Sequence, residues 1–483
     1  MIEIAVKYIE RVTGAQPYTG NANRMCRGCV IDSRLVEADN IFVAFSGERV
    51  DGNEFAPQAI EAGAAAVILT KEPSRKLIRL ADDHECAVFV TADAEQFLLD
   101  LAQGYRSRMH CTVVGITGSI GKTTTKDILT ELLSVRYRVH ATQGNYNNLI
   151  GMPLTILSAP KDTQVLVLEM GMNSFGEIER LSKCAQPTYS VITKIGTSHI
   201  GMLGSRENIA RAKAEILVGM PPSAENFEGR HSVLVLGGED DYTPFIIDTF
   251  ARPAGVDVLL AGTSEDDDVC ARNIEVGADG CPEFDITLEN GSQYHTGLSI
   301  PGAQSVQNAL YAAAIASRMG IAQYEIDQVF HKLAITGRRQ ELRHATSGAT
   351  VIDDSYNASP ESMAAALDLL TRLDCAGSRI AILGEIGELG DDAARLHALV
   401  GAYAAAKKLD LMVCVGGDGA AEMARAAKLM GMPEQNISHM ATTEQALARW
   451  GSVLAPTDLV LVKGSRFVGL DRFVEGVCAD VRK

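Results

Sequence analysis

Long hydrophobic runs are missing from this sequence. Hydrophobic residues make up 46% of its 483 residues, but no apolar stretch approaches the ~18 residues that a helix needs to cross a bilayer. The opening stretch, MIEIAVKYIERVTG, mixes charged with apolar residues, which is not the pattern of a secretory signal. We therefore expect a protein that does not insert into membranes and that works in the cytoplasm.

Positive charge is also scarce. Lys and Arg number 44 against 61 Asp and Glu, which gives a net charge of −17. Because affinity for nucleic acids depends on clustered Lys and Arg, this balance speaks against a nucleic-acid partner. Anionic ligands would have to be held by local cations and not by the overall field.

A complete set of metal-binding cysteines is lacking too. Only Cys26 and Cys29, among ten cysteines, have CxxC spacing, and no second CxxC or His pair completes a zinc site. Dispersed cysteines of this kind are typical of a reducing compartment, where most are small buried hydrophobes.

The length and the patterning predict three α/β domains. At ~150 residues per domain, the chain is long enough for about three. Short apolar strands alternate with helical stretches, which indicates parallel sheets, and 255–297 reads as a meander or insertion. We predict a small α/β domain at 1–108, a central P-loop domain with a parallel sheet at 109–337 and a Rossmann-like domain at 338–483.

The P-loop itself is incomplete. In GITGSIGKTTTKD (115–127), Ile116 stands where the pattern G-x-x-x-x-G-K-[ST] has its first glycine. A buried strand is nevertheless predicted at 113–117, a glycine loop at 118–121 and a helix from Thr123, which would aim free N–H groups at phosphates. Lys122 would contact the outer phosphates and the Thr123 hydroxyl would bind Mg²⁺. We interpret the stretch as a P-loop subclass.

Other candidate ligands are ambiguous on spacing alone. Glu169 follows a predicted buried strand, and with His199 it could approach a cation held by Thr123. A lone histidine such as His199 is more often structural. Lys213 neighbours the apolar face of a predicted helix, where an ordinary surface lysine is one interpretation, and spacing alone does not decide its role.

Several motifs together resemble the Mur ligase family. They are GITGSIGKTTTKD (115–127), GNYNNLIGMPLTIL (144–157), LEMGMNSFGEI (168–178), HIGMLGSRENIARAKAEI (199–216), TGRRQ (336–340), IDDSYNASPESM (352–363) and ILGEIGELG (382–390). The resemblance runs from Asp32 to Arg466. The P-loop is shared across the family, whereas IDDSYNASPESM resembles the branch that adds a dipeptide.

The resemblance implies a role for each matching residue. The expected ATP contacts are Gly118, Ser119, Ile120, Gly121, Lys122, Thr123, Thr124, Asn308, Arg338 and Asp353. The expected Mg²⁺ ligands are Thr123, Glu169, His199 and a carbamylated Lys213, and the expected catalytic residues are Lys122, Glu169, His199, Lys213 and Arg338. The expected substrate contacts are Ser33, Arg34, Gly47 and Asp51 for uridine diphosphate, Asn145, Asn147 and Asn148 for the muramoyl part, and Tyr356, Asn357, Lys463 and Arg466. Asn53, Lys194, Gly237-Gly238 and Gln304-Ser305 differ from the family pattern.

The activity implied by the resemblance is an ATP-dependent ligation through an acyl phosphate. D-alanyl-D-alanine would be joined to UDP-N-acetylmuramoyl-tripeptide by a monomeric enzyme, giving the pentapeptide precursor of peptidoglycan. One alternative is another family ligase, although the D-N-P-R motif of the third-residue-adding branch is absent and folylpolyglutamate or cyanophycin ligases lack the IDDSYN stretch. A non-catalytic UDP-sugar-binding relative is a second alternative. The third, a P-loop nucleotide switch, would need N-K-x-D, and the nearest string is Thr193-Lys194-Ile195-Gly196.

Overall fold

The computed structural model describes residues 1–47, 50–221, 232–334 and 337–478. Three principal β-sheets are each flanked by helices, which confirms the predicted α/β class. Each sheet lies within one of the three predicted segments. The boundaries of those segments stay a prediction, and 479–483 of the third lie outside the described residues.

The N-terminal unit is a small five-stranded sheet with a two-stranded ribbon beside it. The sheet order is β2-β7-β6-β5-β4, parallel except for β2, and β1 pairs with β3. Its strands are β1 (Glu3–Ala5), β2 (Pro17–Thr19), β3 (Met25–Arg27), β4 (Cys29–Val30), β5 (Ile41–Val43), β6 (Ala66–Leu69) and β7 (Ala87–Val90). Its helices are α1 (Val6–Thr13), α2 (Ala56–Glu61), α3 (Arg75–Asp83) and α4 (Ala94–Arg106).

The central unit contains a nine-stranded sheet. Its strands are β8 (Thr112–Thr117), β9 (Val139–Ala141), β10 (Val165–Glu169), β11 (Tyr189–Ile192), β12 (Val233–Gly237), β13 (Asp257–Gly262), β14 (Val269–Val276), β15 (Pro282–Thr287) and β16 (Gln293–Gly297). Its helices are α5 (Lys122–Ser134), α6 (Gly151–Ser158), α7 (Glu177–Ala185), α8 (Ile200–Leu203), α9 (Arg206–Ala214), α10 (Thr243–Ile246), α11 (Arg252–Ala254), α12 (Gln304–Arg318) and α13 (Gln323–Phe330). The order is β16-β15-β14-β13-β12-β11-β8-β10-β9. Antiparallel pairing of β14, β15 and β16 at one edge confirms the predicted meander.

Burial on both faces explains the apolar strands of this sheet. On β8, Val113 faces one core while Val114 and Ile116 face another, and all three are fully buried. Side chains alternate between the faces of a strand, so a parallel strand covered on both sides is apolar throughout. The helices α5 and α12 cover one face, and α6, α7 and α9 cover the other.

The C-terminal unit is a six-stranded sheet of order β17-β18-β22-β19-β20-β21, parallel except for β17. Its strands are β17 (Glu341–His344), β18 (Thr350–Asp354), β19 (Arg379–Gly384), β20 (Leu411–Val415), β21 (Ile437–Met440) and β22 (Leu459–Lys463). Its helices are α14 (Pro360–Arg372), α15 (Ala393–Ala406), α16 (Asp418–Leu429), α17 (Thr443–Trp450) and α18 (Asp471–Val477). Among the helices of the described ranges, none is both long enough and apolar enough to cross a bilayer.

Candidate active site

A cavity of about 610 Å³ lies between the central and C-terminal sheets. The segments that follow β8, β10 and β11 of the central sheet face those that follow β18, β19 and β22 of the other. Carboxyl ends of parallel strands are where open α/β sheets bind ligands. The cavity brings together most of the predicted residues, namely Ser119, Ile120, Gly121, Lys122, Thr123, Thr124, Asn145, Asn147, Asn148, Glu169, His199, Lys213, Asn308, Tyr356, Asn357, Lys463 and Arg466.

The loop between β8 and α5 has the tight geometry of a phosphate cradle. Gly118 has φ 146°, and a Cβ placed there would lie 1.9 Å from Thr193 Oγ1. Gly121 has φ 87°, and its Cβ would lie 2.3 Å from Asn308 Oδ1. Both positions favour glycine, because the backbone has a positive φ and a Cβ would have to displace Thr193 or Asn308.

Lys122 begins α5, one residue before the predicted start at Thr123. Its Nζ donates a hydrogen bond to the Gly118 carbonyl oxygen at 2.7 Å, so the side chain curls back over the loop. Burial lowers the pKa of Lys122, opposed by the charge of Glu169 and reinforced by Arg339. A cation held in this position is poised to neutralise an incoming phosphate.

Glu169 links the end of β10 to the P-loop. Its Oε2 accepts a hydrogen bond from Thr123 Oγ1 at 2.7 Å, and its Oε1 accepts one from Asn147 Nδ2 at 2.8 Å. The residue is only 3% exposed. A hydroxyl and a carboxylate oxygen thus lie side by side beside the phosphate cradle.

His199 follows β11 and has a left-handed backbone with φ 63°. Its Nδ1 lies 2.6 Å from Glu388 Oε2, which belongs to the segment after β19. The close approach of the His199 imidazole keeps the pKa of Glu388 below its usual range, although partial burial opposes this. The histidine therefore connects the central unit to the C-terminal unit.

Lys213 lies on α9 and is only 2% exposed, which excludes the alternative of an ordinary surface lysine. Its side chain lines the cavity, and within the described residues its Nζ has neither a hydrogen bond nor an ion pair. Burial lowers its pKa well below the usual value, and Lys122 lowers it further. Both effects disfavour the charged ammonium at this position.

The donor set suits Mg²⁺ bound together with a nucleotide. Across the described ranges, no group of three or more His, Cys, Asp or Glu side chains is arranged to hold a metal ion. Mg²⁺ in phosphate-transferring enzymes commonly takes only one or two carboxylates and completes its shell with phosphate oxygens and water. The pre-placed oxygens of Thr123 and Glu169 fit that type of site.

Three predicted ATP contacts, Gly118, Arg338 and Asp353, are not among the residues that line the cavity. Arg338 donates to Asp471 Oδ2 at 2.5 Å and to Glu475 Oε1 at 2.6 Å, so α18 holds it away. Arg339 lines the cavity instead, with its guanidinium 4.2 Å from the centre of the Tyr356 ring. The predicted phosphate contact of Arg338 stays a prediction.

Asp353 is fully buried at the end of β18, where its Oδ1 accepts a hydrogen bond from Ser355 Oγ at 2.6 Å. The next residue, Asp354, lines the cavity because successive side chains of a strand point to opposite faces. Its Oδ2 pairs with Lys463 Nζ at 2.8 Å across β18 and β22. The predicted ATP contact of Asp353 likewise stays a prediction.

The C-terminal wall has two arginines, Arg339 and Arg466, around Tyr356, whereas the charge of Lys463 is paired with Asp354. The Arg466 guanidinium lies 5.9 Å from the centre of the Tyr356 ring, and Lys463 lines the same cavity. Lys463 Nζ also donates to the Asn357 carbonyl oxygen at 3.0 Å. These groups suit an anionic substrate.

The predicted uridine-diphosphate residues belong to the N-terminal sheet and do not line this cavity. Ser33 and Arg34 follow β4, and Gly47 and Asp51 follow β5, so all four lie beyond the carboxyl ends of neighbouring parallel strands. Asn53, one of the residues that differ from the family pattern, accepts a hydrogen bond from the Thr70 N–H to its Oδ1 at 2.9 Å. This bond connects the region to the end of β6.

Sequence reasoning missed Arg339, Asp354 and Glu388. Each stands within a motif that was recognised, namely TGRRQ, IDDSYNASPESM and ILGEIGELG. The first two directly follow the residue that was chosen, and strand alternation could have suggested Asp354. The role of Glu388 depends on contact between two sheets, which no local pattern signals.

Known proteins resemble the chain over its whole length. Three profiles match: "Mur ligase family, catalytic domain" at 26–104, "Mur ligase middle domain" at 116–316 and "Mur ligase, glutamate ligase domain" at 338–466. The UDP-N-acetylmuramoyl-tripeptide–D-alanyl-D-alanine ligase of Bacillus subtilis (strain 168) is 35% identical over 476 residues, covering 98% of each protein.

Two solved structures have the same architecture. A crystal structure of MurF from Acinetobacter baumannii has a TM-score of 0.85 at 29% identity and covers 98% of each chain. The MurF ligase of Thermotoga maritima in complex with ADP has a TM-score of 0.77 at 26% identity, over 93% of this chain and 96% of that one.

Proposed function

The chain belongs to the Mur ligase family, and we propose that it joins D-alanyl-D-alanine to UDP-N-acetylmuramoyl-tripeptide at the expense of ATP. One observation carries the proposal. The P-loop with Thr123 and Glu169 shares a single cavity with the cationic wall around Tyr356. An enzyme that couples cleavage of ATP to the joining of two carboxylate-bearing substrates requires these two surfaces to face each other. The full-length similarity to dipeptide-adding ligases supports this choice of substrates.

The proposed reaction has two steps. First, a carboxylate oxygen of the third residue of the tripeptide attacks the γ-phosphorus of ATP, and ADP leaves. The neutral amine of D-alanyl-D-alanine then attacks the carbonyl carbon of the acyl phosphate. Phosphate leaves, the amine loses a proton and an amide bond remains.

Charge neutralisation and positioning are the tasks of the protein in both steps. Lys122 and Arg339 bring positive charge to the place where the carboxylate and the phosphate must approach each other. Mg²⁺, when held by the Thr123 hydroxyl and Glu169, supplies further compensation of phosphate charge. Holding the substrates between two sheets makes the encounter effectively intramolecular, which is a large contribution to the rate.

We also propose that Lys213 functions as a carbamate. The neutral form of its buried amine can attack CO₂, which forms an N–C bond and releases a proton to leave an anionic carbamate. An ammonium offers only donors, whereas a carbamate offers oxygen acceptors beside Lys122. The absence of a described anionic partner for Lys213 fits this modification.

The remaining assignments belong to the same proposal. The uridine diphosphate would lie beyond β4 and β5 of the N-terminal sheet, and Asn145, Asn147 and Asn148 would meet the muramoyl part on the way into the cavity. His199 would be a magnesium ligand. A cytoplasmic location and a monomeric state stay predictions.

Phosphate release tests the activity. The purified enzyme should release phosphate only when ATP, Mg²⁺, UDP-tripeptide and D-alanyl-D-alanine are all present. D-alanyl-D-alanine should be used far better than free D-alanine, diaminopimelate or lysine. Faster turnover with a single amino acid would place the protein in another branch of the family.

A further inference from the structure

The segment 196–201, which carries His199, is held against the C-terminal unit by hydrogen bonds and close backbone contact. Glu361 Oε1, at the start of α14, accepts a hydrogen bond from the Thr197 N–H at 2.8 Å. The Gly201 N–H donates to the Glu388 carbonyl oxygen at 3.0 Å. A Cβ on Gly201 would lie 2.4 Å from the nitrogen of Gly390, so the two backbones touch.

The imidazole of His199 also contacts the C-terminal unit. Glu388 Oε2 lies 2.6 Å from its Nδ1. This buried nitrogen forms no well-aligned hydrogen bond within the described residues, so the Glu388 carboxylate is the polar group placed to accept its proton once the ring is oriented. An Nδ1–H donated to a carboxylate leaves Nε2 with its lone pair free for a metal, an arrangement common around histidine ligands. Both residues have left-handed backbones, with φ 63° at His199 and φ 64° at Glu388. Strained backbone of this kind concentrates at functional sites.

Glu388 is itself fixed on the C-terminal unit. Glu385, which lies three residues before it, accepts a hydrogen bond at 2.7 Å from the N–H of Gly419, and Gly419 lies at the start of α16. The Ile386 N–H donates to His397 Nε2 at 2.9 Å, and the Gly387 N–H donates to Ser465 Oγ at 3.0 Å. The position of Glu388 therefore depends on the position of the whole C-terminal unit.

We propose that Glu388 is a positioning residue that orients His199 for metal binding, so that the metal site is complete only when the C-terminal unit is docked on 196–201. This inference rests on the proposed function, in which His199 is a metal ligand. It adds a residue from the other unit and couples docking to assembly of the metal site.

Manganese bound with ADP provides a test that does not depend on turnover. Mn²⁺ is paramagnetic, so pulsed electron paramagnetic resonance detects the nitrogen of a coordinated histidine, and titration gives the affinity. We expect Glu388→Ala to weaken Mn²⁺ binding by about 10- to 100-fold, as loss of a partner of a histidine ligand does, and to diminish the nitrogen coupling. Glu388→Gln keeps an oxygen acceptor for Nδ1–H and should lose less.

Two control variants separate the possible failures. Asp391→Ala removes a neighbouring exposed carboxylate and should change neither signal. His199→Ala should abolish the nitrogen coupling. If it does so while Glu388→Ala binds and couples like the wild type, the positioning role is wrong and the proposed function stands. If His199→Ala leaves the spectrum of the wild type unchanged, His199 is not a ligand and the assignment in the proposed function fails.

Discussion

At the scale of single residues, the P-loop depends on the absence of a side chain at Gly121. The left-handed backbone at this position costs an L-residue roughly 1–2 kcal/mol, and a methyl group would collide with Asn308. Gly176 has nearly the same backbone, with φ 84°, but nothing lies within 4 Å of its Cβ. Comparing alanine substitutions at Gly121 and Gly176 therefore distinguishes the cost of backbone strain from the cost of a steric clash.

We expect Gly121→Ala to weaken ATP binding at least about tenfold, or roughly 1.4 kcal/mol, because the Asn308 contact must be displaced. Gly176→Ala should share only the backbone penalty and retain ATP affinity. Isothermal titration calorimetry with ATP measures both. Equal losses in the two variants would show that strain alone, and not the cradle, is responsible.

Lys213 gives a second prediction at this scale. Lys213→Ala should lose most ligation, and small carboxylates such as acetate should partly restore it by supplying the missing anionic oxygen. Stripping bicarbonate should lower wild-type activity, and its return should restore it. Lys213→Arg should respond to neither treatment, since a guanidinium stays charged and does not react with CO₂. Near-normal turnover by Lys213→Arg would rule out the carbamate.

At the scale of elements, the ion pair between Asp354 and Lys463 joins the ends of β18 and β22. The side chains are 9% and 3% exposed. Burial raises the pKa of Asp354, and Lys463 opposes the rise. Removing the lysine alone would leave a buried carboxylate without its counter-charge.

We therefore expect Lys463→Met to destabilise the C-terminal unit by about 3–5 kcal/mol at neutral pH. An acid whose pKa is raised by folding binds more protons when folded, so stability falls as pH rises through the interval above about 3.9. The loss should accordingly shrink in acid. Urea unfolding followed by the single tryptophan, Trp450 on α17, reports this unit specifically.

The double variant Asp354→Asn/Lys463→Met is the control. Its stability should exceed that of Lys463→Met at pH 7 and depend less on pH. If Lys463→Met were as stable as the double variant at neutral pH, the proposed role of this ion pair would be wrong.

Elements also show where sequence reasoning succeeds. The strand, loop and helix around Gly118–Lys122 form one continuous local unit, so periodicity and glycine placement predicted them to within one residue. Arg339 differs from Arg338 by one position in a turn whose direction depends on how the C-terminal unit is placed. The contact of Glu388 with His199 joins residues 189 positions apart, and nothing in either segment indicates the other.

At the scale of the molecule, nucleotide and uridine sites are assigned to different sheets. Lys122→Ala should therefore abolish ligation while UDP-tripeptide binding stays nearly unchanged. Calorimetric titration of the variant with UDP-tripeptide, alongside an ATP titration, measures this separation. A loss of UDP-tripeptide affinity as large as the loss of activity would contradict the assignment of the uridine pocket to the N-terminal sheet.

The central claim is ligation of D-alanyl-D-alanine through an acyl phosphate, and an isotope label follows it directly. UDP-tripeptide carrying ¹⁸O in both oxygens of the third residue's reacting carboxylate is incubated with enzyme, ATP, Mg²⁺ and D-alanyl-D-alanine, and the products are analysed by mass spectrometry. The account predicts a UDP-pentapeptide that retains one ¹⁸O in its new amide and inorganic phosphate that carries the other. Phosphate without label, or no pentapeptide when all substrates are present, would contradict it.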